Sequence, residues 1–157
     1  MIAGVQINRE PVYAMRANAR GMNDIGSTYI EVDLSAQHLY YYQDGSIILE
    51  SDIVSGDMQY AERQTPPGIF QLYYKKSPSV LKGKMLENGK YEYERPVTYW
   101  MPFNGGIGFH DASCQPYFGG NRFREGGGSH GCINLPADKA AELYNIIDYN
   151  IPIVCFY

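Results

Sequence analysis

Two side chains in this sequence can do covalent chemistry together. Cys132 lies in the run Ser129-His130-Gly131-Cys132-Ile133-Asn134, directly behind Gly126-Gly127-Gly128. His110 lies upstream, with Gly105, Gly106 and Gly108 before it and Asp111 after it. A free cysteine titrates at about 8.5, so only a few per cent is thiolate at neutral pH. A neighbouring histidine takes that proton and later returns one to a leaving amine. Adjacent backbone N–H groups near the sulfur stabilise the oxyanion of a tetrahedral intermediate. Gly131 has no side chain and lets a carbonyl approach closely. Asn134 is placed to orient this loop or to help close the site. The ordinary alternative is a structural cysteine, since free Cys is among the most buried residue types. A third reading takes His110, Cys114, His130 and Cys132 as ligands of a structural zinc. The single residue between His130 and Cys132 is unlike ordinary zinc spacings.

The whole string says more than its parts. His110, a spacer of 18 residues, and then Ser-His-Gly-Cys-Ile-Asn resemble the signature of the L,D-transpeptidase catalytic domain (YkuD-like) family. All six residues of the second block match. The spacer is slightly longer than is usual in the family, which lengthens a glycine-rich loop at small cost, because closure entropy grows slowly with length. The stretch IEVDLSAQHLYYYQDG, from Ile30 to Gly45, also looks like the family's opening hairpin. Thr65-Pro66-Pro67-Gly68 is similar to another recurring element, one that shapes the floor of the site. The resemblance covers roughly residue 28 to the end.

The resemblance implies a mechanism and a set of roles. Cys132 attacks the carbonyl of an L-centre in a donor stem peptide of peptidoglycan, and a terminal D-residue leaves. An amine of an acceptor stem resolves the thioester, giving a cross-link between third residues. His110 is the base, and Asp111 orients it by backbone or by carboxylate. The Gly131 and Cys132 N–H groups are the oxyanion donors. Ser129 and His130 position the loop. Trp100 and Met101 wall the substrate groove. No cofactor and no metal are needed, and β-lactams of the carbapenem class should acylate the thiol. Hydrolysis of the same thioester would make the protein an L,D-carboxypeptidase instead. A non-catalytic wall-binding domain is a further alternative, and the intact Cys and His argue against it.

Composition sets the outer bounds. The chain has 157 residues, 45% of them hydrophobic and 19% charged, the size and balance of one globular domain. A formal charge of −4 without a basic tract argues against a nucleic-acid partner. Fifteen tyrosines, 17 glycines and 9 prolines suit a β-rich domain with many turns. Three cysteines are an odd count, so at least one thiol is left over. The start of the chain does not read as a signal peptide, and no run of apolar residues is long enough to span a membrane. An extracytoplasmic substrate is therefore reconciled with this sequence if it is the catalytic part of a longer anchored or secreted protein. The domain itself is expected to make no membrane contact.

The elements that must position the two groups read as follows. Residues 1–27 are turn-rich and are expected to be a linker, with 28–157 as the catalytic domain. Ile30, Val32 and Leu34 alternate with Tyr29, Glu31 and Asp33, the pattern of a half-buried strand. Gln37–Tyr42 and Ile47–Val54 flank Asp44-Gly45 and predict a hairpin. Strands are also predicted at Ile69–Tyr74, Ile107–His110 and Ile151–Tyr157. Lys75–Lys90 carries turn signals and reads as a loop or irregular hairpin. Ala112–Glu125 is lid-like. Its Arg122 and Arg124 either bind substrate carboxylates or are solvated. Cys114, in the same loop, is either a small apolar residue or a redox partner for Cys132. The clear helix is Pro136 to about Tyr149, with Ala140, Leu143, Tyr144 and Ile147 on one face. The predicted fold is mainly β, a mixed sandwich or barrel-like sheet with one packed C-terminal helix.

Overall fold

The computed structural model describes residues 25–113 and 115–157. Most of the segment expected to be a linker, and Cys114 with its proposed redox role, lie outside the described residues. The hairpin forms where the alternation places it, from β1 (Tyr29–Asp33), β2 (His38–Gln43) and β3 (Ser46–Asp52). Asp44 and Gly45 have φ of 51° and 84°. A tight two-residue hairpin turn needs that left-handed pair, and Asp-Gly tolerates it best.

A five-stranded sheet grows from this hairpin in the order β3-β2-β1-β10-β4. The last strand, β10 (Ile153–Phe156), lies parallel to β1, and β4 (Gly68–Phe70) pairs antiparallel with β10 at the edge. A second sheet holds β7 (Trp100–Asn104), β8 (Ile107–Asp111) and β9 (Ile133–Leu135), with β8 and β9 parallel. The single helix of the described residues, α1 (Ala137–Ile146), follows β9. The remaining pair, β5 (Ser79–Lys82) and β6 (Glu94–Val97), forms a separate ribbon.

Period-2 alternation decides what is buried where. Ile30, Val32, Leu39 and Leu49 of the first sheet meet Met101, Phe103, Phe109, Ile133 and Leu135 of the second. Ala140, Leu143 and Ile147 close the same core from α1, on the face the sequence predicts. The mainly β sandwich with one packed helix is thus the observed fold.

Four local expectations are corrected. The outward face of β1 is not solvated: Tyr29 joins Tyr42, Val154, Phe156 and Ile25 in a second apolar cluster, and Glu31 is buried beside it. Central strands between two covered faces lose the polar alternation of a half-buried strand. Regular pairing at Ile69 stops at Phe70, because the chain then crosses to the other sheet, where the Tyr73 N–H donates to Pro102 O and Lys76 pairs with Trp100. The polar stretch from Lys75 contains a real strand, β5, whose short alternation is masked by its lysines. The helix ends at Ile146 rather than Tyr149. There the Ile147 N–H closes on Leu143 O, and Lys75 Nζ donates to the carbonyls of Tyr144 and Ile147. A lysine at a helix C-terminus satisfies carbonyls that have no partner in the helix.

Candidate active site

Strand register brings the two reactive side chains together. Phe109 pairs with Ile133 and His110 with Asn134 in the parallel β8–β9 ladder. Phe109 and Ile133 point into the core, so His110 and Asn134 point the other way, and so does Cys132, one residue before β9. All three line a groove of about 340 Å³. The long connection from Asp111 to Ile133 becomes a short distance because both ends enter one sheet.

The imidazole is fixed by its own neighbour. His110 is 4% exposed, and its Nδ1 lies 2.7 Å from the backbone oxygen of Asp111. A carbonyl only accepts, so Nδ1 carries the hydrogen and Nε2 is left with its lone pair. The Asp111 carboxylate is used elsewhere: it accepts from the N–H groups of Thr98 and Tyr99. Orientation of the imidazole therefore comes from the Asp111 backbone. Burial lowers the His110 pKa, opposed by the Asp111 carbonyl and carboxylate and reinforced by Arg95. The Cys132 thiol is half-buried, and desolvation pushes it up to about 11 against a lowering hydrogen bond from the Gly108 backbone. At rest the pair is a neutral imidazole and a protonated thiol, whose Sγ lies 3.5 Å from Gly106 O.

The loop carrying Cys132 is held from three sides. Ser129 Oγ donates to Cys132 O at 2.6 Å and accepts from the Gly131 N–H at 3.1 Å. Thr65 Oγ1 donates to Gly131 O at 2.7 Å and accepts from the Gly56 N–H at 2.9 Å. Gly131 has φ of 129°, open to glycine and strained for other residues. The segment after β3 runs alongside: Val54 bridges Asn134, and Ser55 and Asp57 exchange backbone hydrogen bonds with Ser129. Gln37 locks that segment from behind, accepting from the Ser55 N–H and donating to Ser55 Oγ and Leu34 O. One expectation changes here. The Gly131 N–H, expected as one of two oxyanion donors, donates to Ser129 Oγ instead.

Other residues fall where the sequence did not put them. Met101 is fully buried in the main core, because it pairs with Phe109 on the face opposite His110. Neighbours on a strand face opposite ways, so Trp100 and Met101 cannot both wall one groove. Trp100 is 8% exposed and backs His110 instead. Its ring centroid is 6.0 Å from that of His110, and its Nε1 donates to Tyr74 Oη at 3.3 Å. Arg124 is exposed and lies over the Phe123 ring, outside the groove lining. Arg122 does line the groove. His130 is exposed at its edge, with its ring 5.2 Å from Tyr93. Asn134 Oδ1 is buried and accepts no hydrogen bond among the described residues.

Sequence reasoning missed Leu81, Tyr93 and Arg95, which reach the groove from the β5–β6 ribbon, and Gln115 in the long loop. Only the aromatic richness of the segment around Tyr93 was a signal. The zinc reading finds no support: among the described residues no three His, Cys, Asp or Glu side chains are grouped to hold a metal. Nor is any described helix long and apolar enough to cross a membrane.

Comparison with known proteins places this geometry. Residues 27–155 match the model of the YkuD family, the L,D-transpeptidase catalytic domain. The chain belongs to that family. No curated protein sequence matches it significantly. Among solved structures, it is similar to a cysteine-to-serine mutant of the Enterococcus faecium L,D-transpeptidase, at 43% identity and a TM-score of 0.75 over 86% of this chain and 52% of that one. It is also similar to the catalytic domain of the E. faecium enzyme acylated by ertapenem, at 44% identity and a TM-score of 0.68, covering 83% of this chain and 97% of that one. The Mycobacterium smegmatis L,D-transpeptidase shares the fold, at 22% identity and a TM-score of 0.68 over 83% of this chain and 59% of that one. The chain spans about half the length of the longer E. faecium protein.

Proposed function

We propose that this domain is a cysteine-dependent L,D-transpeptidase that forms 3–3 cross-links in peptidoglycan, outside the cytoplasmic membrane, as the catalytic part of a longer protein. The observation that carries the reading is the fixed tautomer of His110, whose free Nε2 stands on the same face of the sheet as Cys132. The thiol adds to the donor carbonyl as its proton passes to Nε2. Collapse of the tetrahedral intermediate breaks the amide, and the departing D-residue amine takes that proton. The thioester remains. An acceptor amine then attacks it, gives a proton to His110, and Cys132 leaves as thiolate and is reprotonated. In this reading the Cys132 N–H donates to the developing oxyanion. Asn134 Oδ1, buried on the groove wall with no partner among the described residues, supports binding of a substrate amide N–H.

The test combines two substrates. Wild-type protein with ertapenem should show a covalent adduct on Cys132 by mass spectrometry, and with tetrapeptide muropeptides it should yield 3–3 dimers. Cys132→Ala should fold and give neither. Tripeptide without dimer would replace transpeptidation by L,D-carboxypeptidation, and turnover by a folded alanine variant would sink the mechanism.

A further inference from the structure

The groove holds a cation with no counter-charge among the described residues. Arg122 is half-buried in the wall and forms no ion pair among the described residues. Its Nε donates to Gln115 Oε1 at 2.9 Å, and Gln115 Nε2 in turn donates to Gly127 O at 3.0 Å. The Arg122 backbone oxygen accepts from the Gly127 N–H at 3.0 Å, closing the loop on itself. A Cβ at Gly127 would overlap the guanidinium, so the arginine packs directly against that stretch of backbone. The ring of Tyr117 sits 5.7 Å from its Cζ. These contacts fix the guanidinium with a neutral partner. They hold its direction without cancelling its charge, and they leave the Nη donors for another group.

The rest of the lining points the same way. Arg95 also lines the groove, and no aspartate or glutamate side chain does, although the chain as a whole is acidic. A preorganised guanidinium beside a second cation selects a planar anion that it can fork.

We propose that Gln115 and Arg122 form a carboxylate clamp, in which Gln115 is a positioning residue and Arg122 binds a carboxylate of the donor stem peptide. The clamp rests on the transpeptidase reading above. A donor stem carries a terminal carboxylate on the leaving D-residue and an internal one upstream of the scissile bond, and the clamp recognises one of them.

Three tetrapeptide donors separate the sources: both carboxylates free, the terminal one amidated, and the internal one amidated. Thioester formation is followed by mass spectrometry and kcat/KM is measured for each. Wild type should lose about 10- to 100-fold in kcat/KM on amidation at one of the two positions. Arg122→Leu should bring that acid-to-amide ratio close to one. Gln115→Glu should do so as well, because its carboxylate would occupy the guanidinium from within, and this nearly isosteric change keeps the loop intact if the leucine variant does not fold. A ratio unchanged in folded Gln115→Glu or Arg122→Leu overturns the clamp. So does a wild type that acylates all three donors equally, which leaves the transpeptidase reading standing. A wild type that acylates with none of them overturns that reading and the clamp together.

Discussion

In the proposed reaction the proton of Cys132 passes to His110, which shares its face of the sheet, and that transfer sets the pH dependence of acylation. Burial holds His110 below the ordinary histidine range, so the imidazole stays neutral as pH falls past about 6.5. Acylation by a carbapenem should therefore keep its neutral-pH rate to below that point and decline only when His110 protonates. The thiol, pushed up to about 11, leaves roughly one molecule in ten thousand as thiolate at pH 7 without a base. His110→Ala should be severely slowed at neutral pH and should recover about tenfold per pH unit as the solution turns alkaline. His130→Ala should be slowed far less, since that ring stands at the exposed edge against Tyr93. Stopped-flow acylation across pH would show this. A flat profile for the His110 variant would mean that the thiolate exists without the base.

Elements, rather than single side chains, decide whether the loop carrying Cys132 keeps its shape. Thr65 comes from the Thr-Pro-Pro-Gly turn before β4, yet its hydroxyl ties Gly131 O to the Gly56 N–H of the segment that follows β3. Thr65 is 1% exposed. Thr65→Val keeps the volume and removes both hydrogen bonds, leaving a buried donor and a buried acceptor, at a cost of about 2–4 kcal/mol. Thr65→Ser keeps the hydroxyl and should cost much less. Thermal unfolding should rank the variants wild type, serine, valine, and acylation rates should follow the same order because Gly131 precedes the nucleophile. Equal acylation by valine and wild type would show that the turn does not shape the loop. The turn itself was legible in the sequence, since prolines punctuate a chain locally, whereas its place at the floor of the site was implied only by the family resemblance. The support from Gln37 was not, because it depends on β2 and the segment after β3 lying side by side.

At the scale of the molecule, what the sequence shows and what it hides divide along one line. Asp44-Gly45, the apolar face of α1 and the Ser129–Asn134 string are local patterns, and each was readable in place. Met101 and Tyr29 were misread because their burial depends on which sheet face meets which partner. Tyr93, Arg95 and Gln115 escaped because they belong to segments brought over the groove only by the complete fold. The same division predicts what the molecule can lose. The main core contains no residue between Leu72 and Tyr99, so the β5–β6 ribbon stands outside it, and Val97 is the one buried apolar residue the ribbon adds. By contrast, β10 lies between β1 and β4, and Ile153, Val154 and Cys155 are all at most 2% exposed. Replacing residues 80–95 by a short glycine-serine turn should leave one cooperative unfolding transition, because loop closure changes stability only slightly with length. It should raise KM for stem-peptide donors many-fold, since Leu81, Tyr93 and Arg95 go with the ribbon. Removing residues 151–157 should instead prevent folding, because it exposes both apolar faces of the sheet at its centre. Circular dichroism melts of the two deletions decide the matter. A ribbon deletion that unfolds, or a β10 deletion that melts cooperatively, would show that the ribbon rather than the central sheet holds the domain together.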